Sequence, residues 1–211
     1  MTLVLLDTNA YLRLAKRIKP LLGIRFGQKG YVLTILKDVE DEVHRSARLQ
    51  EYFPWFDDPP LQQERLAKRV RLSRDEKAQI TAMKSVLRQH ALAHAADYTT
   101  LGRSPPSPTD CLCLAFGQVR QAIVATDDLG MHKLAEDFEL PIFHCHEVLK
   151  KMLTAKAISK ELVTDIYHAL EVNGDLPRSW VEVKHTAFKK VFGLKPTLPA
   201  MESEAKAGSP Q

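Results

Sequence analysis

Short apolar runs alternate along the chain with longer stretches in which apolar residues recur at every third or fourth position. Leu3-Val4-Leu5-Leu6 is a run that stops at Asp7-Thr8-Asn9, as a strand of a parallel sheet buried on both faces would. Tyr11 to Ile18 has helical spacing, Gly23, Gly27 and Gly30 mark a loop, and Tyr31 to Leu36 is a second buried-strand run. It leads into an acidic helix start, Asp38 to Val43, in which Asp38 and Glu42 share a face and Glu40 points elsewhere. From Ser46 to Thr109 the pattern is helical and connective, with a proline- and aromatic-rich loop from Glu51 to Pro60. Ser73 and Glu76 form a capping box opening a long helix. Ser107-Pro108 starts another helix, whose stripe of Leu112, Ala115, Phe116 and Val119 predicts packing on a sheet. Ala122 to Thr126 is a third strand ending in Asp127-Asp128, Met131 to Phe138 a short helix, and Pro141 to His144 a further short strand. Helices are predicted after Ser159 and from Ser179 to Gly193, and the segment 195–211 has the composition of a disordered tail.

This order of elements predicts an α/β fold, three layers with a central parallel sheet between helices. The expected division is a domain over residues 1–148 with a helical insert over about 46–106, then a C-terminal helical extension over 149–194 and the tail. With 211 residues and 45% hydrophobic content, the chain can bury a full core. The apolar runs are too short to cross a bilayer, and three cysteines cannot all pair, so a cytoplasmic protein is expected. The net charge of +4 is small but unevenly placed. Arg65, Lys68, Arg69, Arg71, Arg74, Lys77, Lys84 and Arg88 crowd one stretch that holds only Glu64, Asp75 and Glu76 as acids. That run is either a solvated face or a surface for a polyanion.

Three carboxylates fall at two strand ends, where open α/β sheets bind ligands. Asp7 follows the first strand; Asp127 and Asp128 follow the third, and as adjacent like charges they call for a compensating cation or hydrogen bonds. Asp7 and Asp110 also read as helix caps, and the acids of 38–42 as favourable charge at a helix start. Oxygen donors of this kind suit Mg²⁺ or Mn²⁺. His90 and His94 stand at a spacing that could bind metal but have no third ligand in view, and His144-Cys145-His146 with Cys111 and Cys113 matches none of the usual zinc patterns, so neither argues for a softer metal.

The strand ending in DTN at Asp7 to Asn9, the helix start with Glu42-Val43, TDCLCLAFG from Thr109 to Gly117 and ATDDLGMHKLA from Ala125 to Ala135 together resemble PIN-domain nucleases, over about residues 2–148. The small toxin nucleases of VapC type are the best-known relatives. The resemblance implies metal-dependent cleavage of RNA, with Asp7, Glu42, Asp110 and Asp128 catalytic. Asp7, Asp110 and Asp128 would hold the metal, with Asp127 in the variable place beside them. Asn9, Thr126, Arg103, Arg69, Arg71 and Arg74 are the expected substrate contacts. RNA, an antitoxin or other protein partner, and a second copy in a homodimer are the expected partners, with no membrane. Two other readings stay open: a phosphatase or receiver-like phosphoacceptor, disfavoured because Asn9 stands where the former wants a second aspartate, and a non-catalytic RNA-binding or assembly protein.

Overall fold

The computed structural model describes residues 1–99 and 104–194. Arg103 and the segment 195–211, named above as a substrate contact and a tail, lie outside the described residues. In chain order the elements are β1 (Thr2–Leu6), α1 (Thr8–Ala15), β2 (Arg25–Phe26), β3 (Tyr31–Thr34), α2 (Lys37–Arg45), α3 (Ala47–Tyr52), a 3-10 turn (Pro54–Asp57), α4 (Pro59–Lys68), α5 (Arg74–Ala93) and α6 (Ala95–Tyr98). There follow α7 (Pro108–Arg120), β4 (Ile123–Ala125), α8 (Leu129–Asp137), β5 (Ile142–Phe143), α9 (Cys145–Thr154), α10 (Lys160–Val172), α11 (Arg178–Val183) and α12 (Lys189–Phe192).

The sheet has the order β2-β3-β1-β4-β5, parallel except for the antiparallel edge pair β2 with β3. Its central strand shows why the layers form. Successive side chains of a strand point to opposite faces. Val4 and Leu6 enter one core with Tyr11 and Leu14 of α1, Leu149 of α9 and Tyr167 of α10; Leu3 and Leu5 enter the other with Leu87 of α5, Phe116 of α7 and Leu134 of α8. Both faces of the sheet are therefore covered, and the fold is a three-layer α/β/α arrangement. Gly117 lets α7 lie close on the sheet, since a Cβ there would come within 2.9 Å of Val124 Cγ2.

The differences from the sequence pattern are local. The loop marked by glycines contains β2, and helix α9 begins at Cys145, ahead of the helical extension expected over 149–194. The predicted helix over Ser179 to Gly193 is two short ones, α11 and α12, because the chain turns between them to bury Phe188 beside Tyr167, ring centroids 5.4 Å apart. The expected loop from Glu51 to Pro60 holds the end of α3, the 3-10 turn and the start of α4. Among the described residues, no helix is long and apolar enough to cross a membrane.

Candidate active site

The chain steps from β1 to β3 on one side of the sheet, then crosses back over β1 to β4 on the other. Ligands of open α/β sheets bind at the carboxyl ends of the strands where the order reverses in this way. Asp7 leaves β1 there and Asp128 leaves β4, with the Asp7 backbone N–H donating to Ala125 O at 3.1 Å. Glu42 arrives from α2 and Asp110 from the first turn of α7.

Each carboxylate is held by a nearby donor. Ala10 N donates to Asp7 Oδ1 at 2.6 Å and the Thr126 hydroxyl donates to Asp7 Oδ2. Asp128 Oδ1 accepts from Met131 N at 2.9 Å, so it caps α8. Ser107 N donates to Asp110 Oδ2 at 2.7 Å, completing a capping box with an aspartate in place of the usual glutamate. The Thr8 hydroxyl donates to Glu42. Cap and ligand are therefore not exclusive roles here. Among the described residues nothing donates a hydrogen bond to Asp110 Oδ1 or Asp128 Oδ2, so each aspartate spends one oxygen on its helix and keeps the other.

The acids are close enough to act on one another electrically. Burial, the larger cause, pushes Asp7 up to about 7 against the pull of the Thr126 and Ala10 hydrogen bonds, and the charge of Asp110 adds to the rise. Asp110 is pushed up to about 6, again chiefly by burial, with Asp128 and Glu42 contributing. A cation would reverse both shifts by favouring the ionised forms. The donor chemistry therefore suits a hard divalent ion. The side chains as they stand do not form a coordination shell: among the described residues no three His, Cys, Asp or Glu side chains are grouped to hold a metal ion. Each is drawn to its own cap or hydroxyl donor, so binding would require side-chain rotation toward a common point.

Asp127 is the clearest correction to the metal set. Its side chain is 2% exposed and faces away into a clamp. Asp127 Oδ1 accepts from Cys145 N at 3.1 Å, and Oδ2 accepts from Arg13 Nη1 at 3.2 Å and Trp180 Nε1 at 3.0 Å. Burial alone would raise its pKa, but His144, Arg13 and Cys145 outweigh that and hold it below the usual carboxylate range. Arg13 also reaches Asp175 at the end of α10. Nothing in the sequence pattern pointed to Arg13 or Trp180, because the clamp joins residues far apart in the chain.

The expected substrate contacts divide. Asn9 is exposed beside Asp7. Thr126 is fully buried, its hydroxyl donating to Asp7 and accepting from Asp128 N at 3.1 Å, so it orients carboxylates and cannot touch a substrate. Arg71 and Arg74 are exposed, whereas Arg69 pairs with Glu40 at 3.5 Å. Arg65, part of the same basic run, is 1% exposed, its guanidinium stacked 3.8 Å over the Phe56 ring and paired with Glu40. The basic run is thus not one continuous phosphate-facing surface.

No family model and no curated protein matches the chain. The structure is similar to the crystal structure of FitAcB from Neisseria gonorrhoeae, with a TM-score of 0.42 and 13% identity over 67% of this chain and 97% of that one. A likeness that loose carries no argument about fold or activity.

Proposed function

We propose that the chain is a metal-dependent ribonuclease that hydrolyses phosphodiester bonds at the carboxyl edge of its sheet. The observation that supports this best is the gathering of Asp7, Glu42, Asp110 and Asp128 from four separate elements at the strand-order reversal, with the pKa values of Asp7 and Asp110 raised. Those four residues would hold Mg²⁺ or Mn²⁺, which when bound supplies an activated water and neutralises phosphate charge. In the metal-free protein the Thr126 and Thr8 hydroxyls hold Asp7 and Glu42, and a bound cation would favour the ionised forms of Asp7 and Asp110 and draw the side chains toward it. Asn9, exposed at the start of α1, is placed to meet substrate.

The test is incubation of the purified protein with structured and unstructured RNA in Mn²⁺, Mg²⁺ or EDTA. Cleavage is expected only with metal, and Asp7→Asn, Glu42→Gln, Asp110→Asn and Asp128→Asn are each expected to abolish it. Mn²⁺ should also raise the melting temperature of the wild type but not of an Asp7→Asn/Asp110→Asn double variant, since a ligand bound only by the folded state stabilises it. Cleavage that persists in EDTA, or no cleavage with any metal, would sink the proposal. The narrower form is the toxin of a toxin-antitoxin pair, with an antitoxin or a second copy as protein partner. Expression of the wild type should then arrest growth and Asp7→Asn should relieve the arrest.

The second reading is a non-catalytic RNA-binding or assembly protein. It is favoured by the helix caps that each of three aspartates makes and by the lack of a grouped ligand set among the described residues. RNA binding without cleavage, and without any response of the melting temperature to Mn²⁺, would establish it instead.

A further inference from the structure

A cleft of about 940 Å³ opens between α1, the start of α3, the 3-10 turn and the end of α10. Two of its lining residues lie near the acids along the chain. Asn9 lines it two residues after Asp7, and Ser46 lines it four residues, about one helical turn, after Glu42. Its walls carry Lys16, Arg17 and Arg48, none of which makes an ion pair among the described residues, whereas Arg13 on the same wall is taken up by Asp175 at 3.0 Å and Asp127 at 3.2 Å. Aromatic rings accompany the cations. Tyr52 is 67% exposed with the Arg48 guanidinium 5.7 Å from its ring centroid, and Trp55 stands edge-on to Phe53 at 5.9 Å. An exposed ring with a guanidinium beside it that makes no ion pair among the described residues can stack a base and hold its phosphate.

We propose that this cleft is a subsite for an unpaired stretch of RNA, in which Tyr52 and Trp55 stack bases while Lys16, Arg17 and Arg48 hold the phosphates on either side. It rests on the ribonuclease reading for its purpose but not for its existence. The strand would run along α1 past Asn9 to the acids, so the subsite selects unpaired nucleotides next to the scissile bond. A duplex cannot offer it a base, because its bases are already stacked on one another.

The experiment is equilibrium binding of a fluorescent single-stranded oligoribonucleotide in EDTA, where cleavage plays no part. The combined Lys16→Gln, Arg17→Gln and Arg48→Gln variant should flatten the slope of log affinity against log salt by about 2, at roughly 0.7 per phosphate contact. Tyr52→Ala should weaken binding about fivefold or more with the slope unchanged, and should not alter binding of a duplex of the same sequence. Thermal melting checks that the variants fold. Wild-type protein that binds no single strand, variants that bind as wild type does, or equal losses for duplex and single strand would each overturn the subsite. So would polyglutamate displacing the RNA at matched charge, which would mark the cleft as a seat for an acidic protein segment. Lost binding in the variants together with no cleavage under any metal would leave the subsite standing and remove the nuclease reading. Metal-dependent cleavage with binding unaltered by these substitutions would do the reverse.

Discussion

Asp7 and Asp127 are both buried aspartates at the carboxyl edge of the sheet, yet they bear on stability with opposite sign. Asp7 is raised from 3.8 to about 7, so between those values the folded protein keeps a proton that the unfolded chain releases. Without metal, stability should therefore fall as pH rises from about 4 to about 7, by on the order of a few kcal/mol. Asp7→Asn should remove that slope and be more stable than wild type at pH 8 in EDTA, as measured by urea unfolding across pH; a less stable variant there would contradict the burial argument. Asp127 is held below its ordinary value, so its contribution is present above the unfolded pKa and is lost as pH falls through the lower folded one. Asp127→Asn turns an amide N–H₂ toward either the Arg13 and Trp180 donors or the Cys145 N–H, and strands Arg13 with one partner. A loss of about 3 kcal/mol is expected at neutral pH. Sequence reasoning could name both residues as candidate ligands, because both follow strands. It could not separate them, since what decides is whether the side chain meets other carboxylates or an arginine from α1 and an indole from α11.

At the scale of elements, helix starts were the most legible feature, because a cap is a contact between residues three apart. Both capping boxes, Ser73 with Glu76 and Ser107 with Asp110, form as their spacing predicts, and Ser159 caps α10. The strand β2 escaped notice because two residues carry no period, and the start of α9 because it coincides with a His-Cys-His run that invites a metal reading. The helix α4 shows the limit differently. Its pattern offers Arg65 as an exposed cation, but the helix packs so that Arg65 lies between Tyr11 and Phe56, with Glu40 of α2 at 3.5 Å and Asp57 at 3.6 Å. Glu40, which the sequence places off the face shared by Asp38 and Glu42, is thus the partner of a buried arginine. Glu40→Gln should leave any cleavage unchanged per folded molecule but lower stability by about 3 kcal/mol, visible as a reduced urea midpoint with the same slope. A midpoint within error of wild type would show that Asp57 alone satisfies Arg65.

For the whole molecule, the consequential packing is that of the helices after residue 154. Val163, Ile166, Tyr167, Leu170, Trp180 and Phe188 enter the same core as β1 and α1. At about 1.5–3 kcal/mol for each large apolar side chain, their removal would rival the ~5–15 kcal/mol that typically holds a domain together. A chain ended at Thr154 should therefore lose cooperative unfolding, and a sigmoidal melt from that fragment would show that residues 1–154 fold alone. The sequence by itself determined what local periodicity and short-range capping can encode: the central strands, the major helices, the three-layer class, and the positions of acids at strand ends and helix starts. Only the tertiary structure decided which of those acids come together, that Asp127 instead clamps α1 to α9 and α11, that Arg65 is buried while Arg71 and Arg74 are not, and that Lys16, Arg17 and Arg48 share a cleft with Tyr52. The reason is physical: burial, pKa and the pairing of charges depend on neighbours supplied by distant segments, and a linear pattern of polar and apolar residues records the face a side chain prefers but not what stands opposite it.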